Sequence, residues 1–451
     1  MESCYHTTAM SYRISSDKLT IFSYFISLIL AGSFLLVIPA SWGGEKPLGY
    51  LDALFTATSA VCVTGLIVVD TAQFTHFGQF VIMLLIQFGG LGIVTFATLF
   101  VAMSRRRVSM LNRGIIQELY IEEVDANPRR IVKSILLTTL AVESLGFLSL
   151  SLRFRSLGVV EPVFSSIFLS VSAFCNAGFS VFSDSLERFE GDWAVNLTFV
   201  ALIVTGGLGF VVLQDVGRVI LGRKRRLTYH TKIVFSMTGI LILVGMAAFY
   251  LLEYDGAYAE LRLPDKFLAA LFQAVTPRTA GFDTIPQASL GLPSIALIIV
   301  LMFTGGSPGS TAGGVKTTTV FMALLAAFRG PQADGSLTYR GGALSAGSVA
   351  RTLSILLKAA SIIGVSFVGL LVFEGAKPGA DFGDILFESV SAFGTVGLSR
   401  GITADLTAWS KAIVIGTMFA GRVGLFAMAV MRPSDKIERY AEYPRENMML
   451  G

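Results

Sequence analysis

Four segments of this 451-residue chain share one pattern, a phenylalanine followed nine or ten residues later by a glycine. They are LFTATSAVCVTGL (Leu54 to Leu66), IFLSVSAFCNAGF (Ile167 to Phe179), LFQAVTPRTAGF (Leu271 to Phe282) and LFESVSAFGTVGL (Leu386 to Leu398). Glycine tolerates backbone angles that turn successive carbonyl oxygens to one side. A ring of carbonyl oxygens can replace the hydration shell of a cation. The four segments therefore predict a cation site built from main-chain oxygen.

The side chains beside these glycines are mostly small or apolar, which again favours main-chain oxygen as the selecting group. A ring of Asp or Glu side chains is absent from the motifs, and this argues against a divalent-cation site of the carboxylate type. The predicted ion-binding residues are Cys62, Val63, Thr64, Gly65, Cys175, Asn176, Ala177, Gly178, Arg278, Thr279, Ala280, Gly281, Gly394, Thr395, Val396 and Gly397.

A second glycine-rich element follows each of these loops. It reads FGGLGIVTF (Phe88 to Phe96), TGGLGFVVL (Thr205 to Leu213), TGGSPGSTAGGVKT (Thr304 to Thr317) and AGRVGLFAM (Ala420 to Met428). In the third copy, several Gly residues and a Pro stand together, and such a run costs several kcal/mol inside a helix. We expect it to break the span into a loop below the ion site. The alternative is a kinked helix or a close-packing face of small residues.

In the fourth copy Arg422 occupies the position held by Gly90, Gly207 and Gly306 in the others. A charge at membrane depth is expensive and usually functional. A cation about 4 Å from another is repelled by roughly 4 kcal/mol at an effective dielectric near 20. Arg422 is therefore predicted to slow cation passage, and a salt bridge to Glu388 or Glu143 is the structural alternative.

The elements that must position these residues are membrane helices. Hydrophobic residues make up 53% of the chain, charged residues only 15%, and mean hydropathy is +0.69. This composition excludes a globular cytosolic enzyme. Scattered Cys and His residues argue against a structural metal site, and a net charge of +4 gives no indication of nucleic acid. Long apolar runs flank every motif, at 19–41 and 76–104, 131–152 and 193–221, 232–252 and 292–327, and 351–373 and 408–431.

The helix inside each motif has only about 10 to 12 apolar residues, too few to span a bilayer. Each repeat is therefore predicted to be a span, a re-entrant half-helix, an extended loop and a second span. Two crossings return the chain to its starting side, so the four repeats share one orientation about an axis along the membrane normal. Non-helical backbone at membrane depth must line a watery cavity or be buried in protein. A central pore satisfies that requirement.

The predicted fold is thus an all-α polytopic membrane protein with four tandem span/re-entrant pore helix/span repeats and pseudo-fourfold symmetry around a central pore. Loops on the side of both termini hold 20 Lys and Arg residues, and the opposite loops hold 8. Both termini are therefore predicted to be cytoplasmic. The predicted segments are an N-terminus at 1–18, repeats at 19–104, 131–222, 231–329 and 350–431, and a tail at 432–451.

The motifs SAVCVTGL, SAFCNAGF, TPRTAGF and SAFGTVGL resemble those of the Trk/Ktr/HKT superfamily of potassium transporters, specifically its Ktr-type (KtrB-type) membrane subunit. The resemblance covers nearly the whole chain. It implies a potassium filter with Gly in all four loops, whereas relatives with Ser in the first loop are associated with sodium. It also implies an intramembrane gating loop, here Gly305, Gly306, Ser307, Gly309, Ser310, Thr311, Gly313, Gly314 and Lys316, with Arg422 as a barrier.

The same resemblance implies a homodimer in the bacterial inner membrane, docked on a cytosolic ring of nucleotide-binding RCK-type (KtrA-like) subunits. The basic loops from Arg105 to Arg130 and from Arg223 to Lys232 would contact that ring, although the positive-inside rule alone also explains them. The expected ion is potassium, with no organic cofactor, no enzymatic activity and no nucleic acid partner. Transport is either passive or sodium-coupled symport. Sodium or mixed monovalent-cation transport is the alternative.

Overall fold

The computed structural model describes residues 16–104, 128–330, 336–339, 342–344, 346–377 and 381–424. Most of the predicted N-terminal segment, most of the first basic loop, the end of repeat 4 and the tail at 432–451 lie outside these residues. The helices are α1 (Ser16–Val37), α2 (Tyr50–Cys62), α3 (His76–Ser104), α4 (Pro128–Ser156), α5 (Pro162–Cys175), α6 (Trp193–Leu208), α7 (Phe210–Ile220), α8 (Tyr229–Glu253), α9 (Leu263–Val275), α10 (Leu292–Phe303), α11 (Thr317–Arg329), α12 (Ala346–Glu374), α13 (Phe382–Gly394) and α14 (Ala408–Phe419).

Shorter elements join these helices. Within the described residues, four 3₁₀ turns lie in the connections between helices, and Ala420–Gly424 forms a π-helical turn after α14. An antiparallel hairpin of β1 (Leu337–Tyr339) and β2 (Gly342–Leu344) precedes α12, with Leu337 opposite Leu344. The Tyr229 hydroxyl at the start of α8 donates to the carbonyl of Tyr339, 2.7 Å away, and so holds the hairpin against the helices.

Four described helices are long and apolar enough, by length and composition, to cross a membrane. They include the segments Thr20–Val37, Arg129–Ser156, Tyr229–Glu253 and Gly347–Glu374. Many of their large apolar side chains are exposed; Leu145 on α4, Leu243 on α8 and Val365 on α12 are more than two-thirds accessible. Apolar residues so placed are suited to contact with lipid.

The helices α2, α5, α9 and α13 have 13 or 14 residues each. At 1.5 Å per residue they are about 20 Å long, shorter than the roughly 30 Å of a hydrocarbon core. Helices too short to span a membrane are what the sequence predicts for these segments. Each is largely buried, and each buries the repeated phenylalanine completely: Phe55, Phe168, Phe272 and Phe387.

The short helices pack in a cyclic order. Within a repeat, each lies against the long helix that precedes it in the chain, as α2 does against α1. Between repeats, α5 packs on α3, α9 on α6, α13 on α10, and α2 on α14. The last of these contacts joins the end of the chain to its beginning. The packing therefore closes on itself.

The second span of repeat 2 is broken, whereas the sequence predicts one apolar run from Trp193 to Leu221. Helices α6 and α7 meet at Gly209 with a bend of 104°. Gly209 has φ of +91° and ψ of 145°, a conformation essentially restricted to glycine. Across the break, the amide of Phe210 donates to the carbonyl of Gly309 at 3.0 Å. The break in repeat 2 thus accommodates the glycine-rich loop of repeat 3.

The second span of repeat 3 is also interrupted, as its Gly and Pro residues predict. Helix α10 ends at Phe303 and α11 begins at Thr317. The intervening segment, residues 304–316, is non-helical and returns on itself, because the amide of Gly305 donates to the carbonyl of Val315 at 2.9 Å. The alternative of a merely kinked helix is therefore wrong.

Candidate ion-binding site

The four glycine-containing loops leave their helices through similar backbone turns. In each loop a residue with positive φ is followed by a middle residue and then by a glycine with positive φ. Val63 at +56° and Gly65 at +93° form the first such pair, and the others are Asn176 and Gly178, Thr279 and Gly281, and Thr395 and Gly397. β-Branched residues rarely adopt positive φ, so the surrounding structure must hold Val63, Thr279 and Thr395 in place.

The loops approach each other closely at their glycines. A β-carbon on Gly65 would lie 2.6 Å from the carbonyl oxygen of Ala177, and one on Gly178 would lie 3.0 Å from that of Ala280. β-Carbons on the other two glycines would come still closer to a neighbouring carbonyl. In chain order the pairs are Gly65 with Ala177, Gly178 with Ala280, Gly281 with Val396, and Gly397 with Thr64.

Each loop therefore presents its middle carbonyl to the glycine of the preceding repeat, and the fourth glycine meets the first loop. The structure brings all four predicted segments together around one small region. Their residues are buried, except that Gly178 and Gly397 are partly exposed. Main-chain oxygens from four loops are thus concentrated at one place, where they could replace the water around a cation.

Hydroxyl groups that the sequence reasoning missed tie three of these loops to their helices, and the fourth, Ser391, is buried without a hydrogen-bond partner. Four residues after each repeated phenylalanine stands a Ser or Thr. Ser59 Oγ accepts from the amide of Gly65 at 3.1 Å. Ser172 donates to the carbonyl of Phe179 at 2.7 Å, and Thr276 donates to that of Phe282 at 2.6 Å. The signal that could have revealed them is a hydroxyl residue at one fixed position in all four motifs.

The third loop departs from the pattern. Only nine residues separate Phe272 from Gly281, and the loop contains Arg278, the only charged side chain among the predicted ion-binding residues. Arg278 is 6% exposed. The third loop therefore presents a buried cationic side chain where the other three have none.

The segment 304–316 contacts two of the four loops. A β-carbon on Gly313 would clash with the Thr395 hydroxyl, and the carbonyl of Gly394 would lie 3.0 Å from it. On the other side, the Thr311 hydroxyl lies 2.9 Å from the side-chain amide of Asn176. Within the segment, Ser310 Oγ donates to the carbonyl of Ser307 at 2.6 Å. The predicted gate residues from Gly305 to Lys316 thus form one non-helical segment. It packs against the glycine-containing loops of repeats 2 and 4, called loops 2 and 4 below.

Arg422 and Lys316 place two cationic side chains at this segment. Arg422 lies in the π-helical turn, is 3% exposed, and donates to the carbonyl of Thr311. Lys316 Nζ donates to the carbonyl of Ala312 at 2.7 Å and is 3.4 Å from that of Gly313. Both cations are therefore bound by backbone oxygen of the segment itself.

The carboxylates named as alternative partners of Arg422 bind other groups. Glu388 accepts from Ser399 at 2.8 Å and from Thr403 at 2.5 Å. Glu143 accepts from the side-chain amide of Gln87 at 3.2 Å. The salt-bridge alternative for Arg422 is therefore not what the structure adopts.

Some acidic side chains in the connections that follow the glycine-containing loops are partly neutralised. Asp184 pairs with Arg188 at 2.7 Å, and that hydrogen-bonded guanidinium lowers the pKa of the Asp184 carboxyl. Asp192 pairs with Arg153, also at 2.7 Å. Asp283 differs: burial in the loop after Gly281 raises its pKa to about 7, although a hydrogen bond from Gln287 opposes the shift. Asp283 is thus a carboxyl of these connections whose charge changes near neutral pH.

A family model described as a cation transport protein, TrkH, matches residues 3–440. The chain is 38% identical to the Ktr system potassium uptake protein B of Bacillus subtilis over 91% of this chain and 92% of that protein. It is 35% identical to the potassium/sodium uptake protein NtpJ of Enterococcus hirae, over 97% and 98%.

The crystal structure of the potassium transporter TrkH from Vibrio parahaemolyticus has a similar fold, with a TM-score of 0.75 and 22% sequence identity, over 94% of this chain and 86% of that one. A multi-pass membrane protein is consistent with the long apolar helices described above. The family match extends over nearly the entire sequence. This chain belongs to the TrkH family of cation transport proteins.

Proposed function

We propose that this chain is the potassium-translocating subunit of a Ktr-type uptake system. One observation carries the proposal: the glycine of every loop meets the middle carbonyl of the next loop, and the series closes from Gly397 to Thr64. Such an arrangement concentrates oxygen ligands without any carboxylate ring, as a selective site for a monovalent cation requires. The names of the relatives, potassium uptake protein B and potassium/sodium uptake protein, agree with this class of ion.

The short helices supply a second contribution to cation binding. Helices α2, α5, α9 and α13 end directly before their loops, at Cys62, Cys175, Val275 and Gly394. The C-terminal end of a helix carries about half a negative charge. Four such ends next to the loops would favour a cation that has lost part of its hydration shell.

In this proposal the segment 304–316 is the gate, and the repeats 19–104, 131–222, 231–329 and 350–431 surround a central pore with pseudo-fourfold symmetry. The ion passes the sixteen filter residues and then meets the segment held by Arg422. Its passage requires that the segment move, because the segment contacts loops 2 and 4 and bears two cations. Transport is passive or coupled to sodium as symport.

The proposed setting is the bacterial inner membrane, with both termini cytoplasmic. The relatives called Ktr system proteins are named as components of a system, which supports a separate partner subunit. In the proposal that partner is an RCK-type regulatory ring, bound to a homodimer of this chain. The basic segment 223–232, which covers the connection after α7 and the first turn of α8, is the proposed contact within the described residues. The first basic loop would add to it.

Ion flux into liposomes tests the proposed function. Purified protein is reconstituted, and uptake driven by potassium and by sodium gradients is compared for the wild type and Gly65→Ser. A side chain at Gly65 would meet neighbouring backbone and an unfavourable φ of +93°. We expect potassium preference in the wild type and a fall of about tenfold in the variant, equivalent to about 1.4 kcal/mol of discrimination.

The matched control is Gly239→Ala on α8, where a β-carbon meets nothing within 4 Å. It should retain the wild-type preference. Equal entry of sodium into wild-type liposomes would favour the mixed-cation alternative. Absence of flux of either ion through folded protein would contradict translocation by this chain alone.

A further inference from the structure

Helix α13 holds the connection after loop 4 through two acidic side chains. Asp384 and Glu388 lie four residues apart and therefore on one face of the helix. Glu388 is fully buried, and its carboxylate accepts from the hydroxyl of Ser399 at 2.8 Å and from that of Thr403 at 2.5 Å. Arg400, the residue after Ser399, pairs with Asp384. Two consecutive residues that follow the fourth glycine are thus bound to one face of the short helix.

Loop 4 relies on these bonds because it lacks the bond that its neighbours use. In the second and third loops, a hydroxyl of the short helix donates to the carbonyl directly after the glycine, as Ser172 does to Phe179. The equivalent Ser391 has a buried hydroxyl without a hydrogen-bond partner in the described part of the chain. The residues at the position of Glu388 in the other short helices are uncharged: Thr56, Leu169 and Gln273. The acidic side chains of α13 therefore take the place of the missing hydroxyl bond.

The bond at Ser399 acts close to the oxygens of the proposed filter. The carbonyl of Val396 meets the glycine of the third loop, and Gly397 meets a carbonyl of the first loop. Ser399 follows Gly397 by two residues, so its bond fixes the end of the loop from which both contacts are made. Neither hydrogen bond to Glu388 involves segment 304–316, and movement of the proposed gate does not remove them.

We propose that Glu388 is a positioning residue for ion selectivity, which holds the end of loop 4 so that the Val396 carbonyl keeps its place in the filter. This inference rests on the proposed function. A ring of carbonyls selects an ion through the spacing and number of its oxygens. Without the bonds from Ser399 and Thr403, the end of loop 4 is freed and the ring can contract around the smaller sodium ion. The carboxylate acts through the loop and needs no contact with the ion.

Liposome flux with Glu388→Met and Glu388→Gln tests this role. Methionine has a similar length but accepts neither hydroxyl bond, so the potassium to sodium flux ratio should fall about threefold or more, as expected when a hydrogen bond of ordinary strength is lost. Glutamine can accept from one hydroxyl and donate to the other, so its ratio should stay within about twofold of the wild type. An equal fall in both variants would assign the effect to the charge of Glu388 and overturn the positioning role.

Ser399→Ala provides a second route that leaves Glu388 in place, for the case that Glu388→Met does not fold. It removes one of the two hydroxyls and should also lower the flux ratio. Unchanged ratios in the folded variants, with a wild type that prefers potassium, would overturn the positioning role and leave the proposed function intact. A wild type without potassium preference would overturn both.

The matched control is Glu374→Met, which makes the same substitution at another buried carboxylate. Glu374, at the end of α12, accepts from the amide of Thr407 at 2.8 Å and from its hydroxyl at 2.9 Å. Thermal unfolding should show a loss of stability in Glu374→Met, while its flux ratio stays that of the wild type. A fall in its ratio equal to that of Glu388→Met would mean that the ratio follows stability alone, and this would overturn the positioning role.

Discussion

At the scale of single residues, Arg422 places a cationic side chain at the proposed gate. Its guanidinium is buried and bonded to the Thr311 carbonyl, where the other repeats have glycine. In the proposed function, two effects of the side chain would oppose ion passage: repulsion of the permeant cation and retention of the segment 304–316. Substitutions at this residue can separate the two effects.

We expect Arg422→Gln to raise potassium flux by about tenfold or more, because a like charge at close range costs up to roughly 4 kcal/mol at an effective dielectric near 20. Arg422→Lys keeps the charge and loses the planar donor, so it should give a smaller increase. Flux into liposomes measures both. The control is Arg155→Gln, which changes an exposed arginine at the end of α4 and should leave the flux unchanged. A fall in potassium flux through folded Arg422→Gln would contradict the barrier.

Asp283 predicts a pH dependence at the outer side. Its pKa is raised to about 7, so it is protonated below neutral pH and becomes a carboxylate as pH rises towards 8. The added negative charge should increase apparent affinity for external potassium about threefold to tenfold, the range for a partly screened interaction of about 1 kcal/mol.

Potassium-dependence curves at pH 6 and pH 8 measure this effect. Asp283→Asn should give one affinity at both values. Asp184→Asn serves as the matched control, since the pKa of Asp184 is already lowered by Arg188 and its charge does not change in this window. An unaltered pH dependence in Asp283→Asn would assign the effect to another group.

At the scale of elements, the sequence predicts a structural feature correctly when residues close together in the chain determine it. Spacing of the repeated Phe and Gly predicts the four short helices and their loops, and the Gly and Pro run predicts the break after Phe303. The positive φ of Val63 and Thr395 opposes local preference and could not be predicted. Long-range packing of neighbouring loops imposes it.

The break at Gly209 is the clearest case of a feature that tertiary contact decides. FGGLG in repeat 1 and TGGLG in repeat 2 differ by one residue, yet α3 continues through Gly92 and α6 ends before Gly209. A β-carbon on Gly92 would meet the Tyr24 ring, whereas one on Gly209 would lie 2.7 Å from the Pro308 carbonyl. Gly92 packs against helix α1, whereas Gly209 packs against the segment 304–316. This difference in packing partner determines whether the helix continues or breaks.

Gly209→Ala should therefore lower stability by about 1 to 3 kcal/mol, the cost of a non-glycine residue in this backbone region. The clash with Pro308 should also displace segment 304–316 and raise ion flux. Thermal unfolding of the purified protein and liposome flux measure the two effects. Gly364→Ala on α12, where a β-carbon meets nothing within 4 Å, is the control. Wild-type stability and flux in Gly209→Ala would contradict the role of the break.

At the scale of the whole molecule, an ion pair joins the first and the last repeat, where the cyclic packing closes. Lys411 on α14 lies 2.7 Å from Asp52 on α2, and both side chains are largely shielded from water. This pair fastens repeat 4 to repeat 1. Pairs within one loop, such as Asp184 with Arg188, hold only neighbouring residues.

A double-mutant cycle with Lys411→Met and Asp52→Asn should give a coupling of about 1 kcal/mol, near the upper end for partly exposed pairs. Thermal unfolding of the four proteins measures it. The local pair Asp184 and Arg188 should give about 0.3 to 0.5 kcal/mol, as expected for residues four apart. Strictly additive effects of Lys411→Met and Asp52→Asn would mean that the pair does not fasten the ends.

The contact between Gly65 and Gly397 has a consequence for synthesis of the protein. These glycines belong to the first and the fourth loop, yet a β-carbon on Gly397 would lie 3.0 Å from the Cα of Gly65. A nascent chain with three loops inserted would lack Gly397 and therefore one side of the proposed filter. In the proposed function, the complete filter forms only when the fourth loop docks against the first.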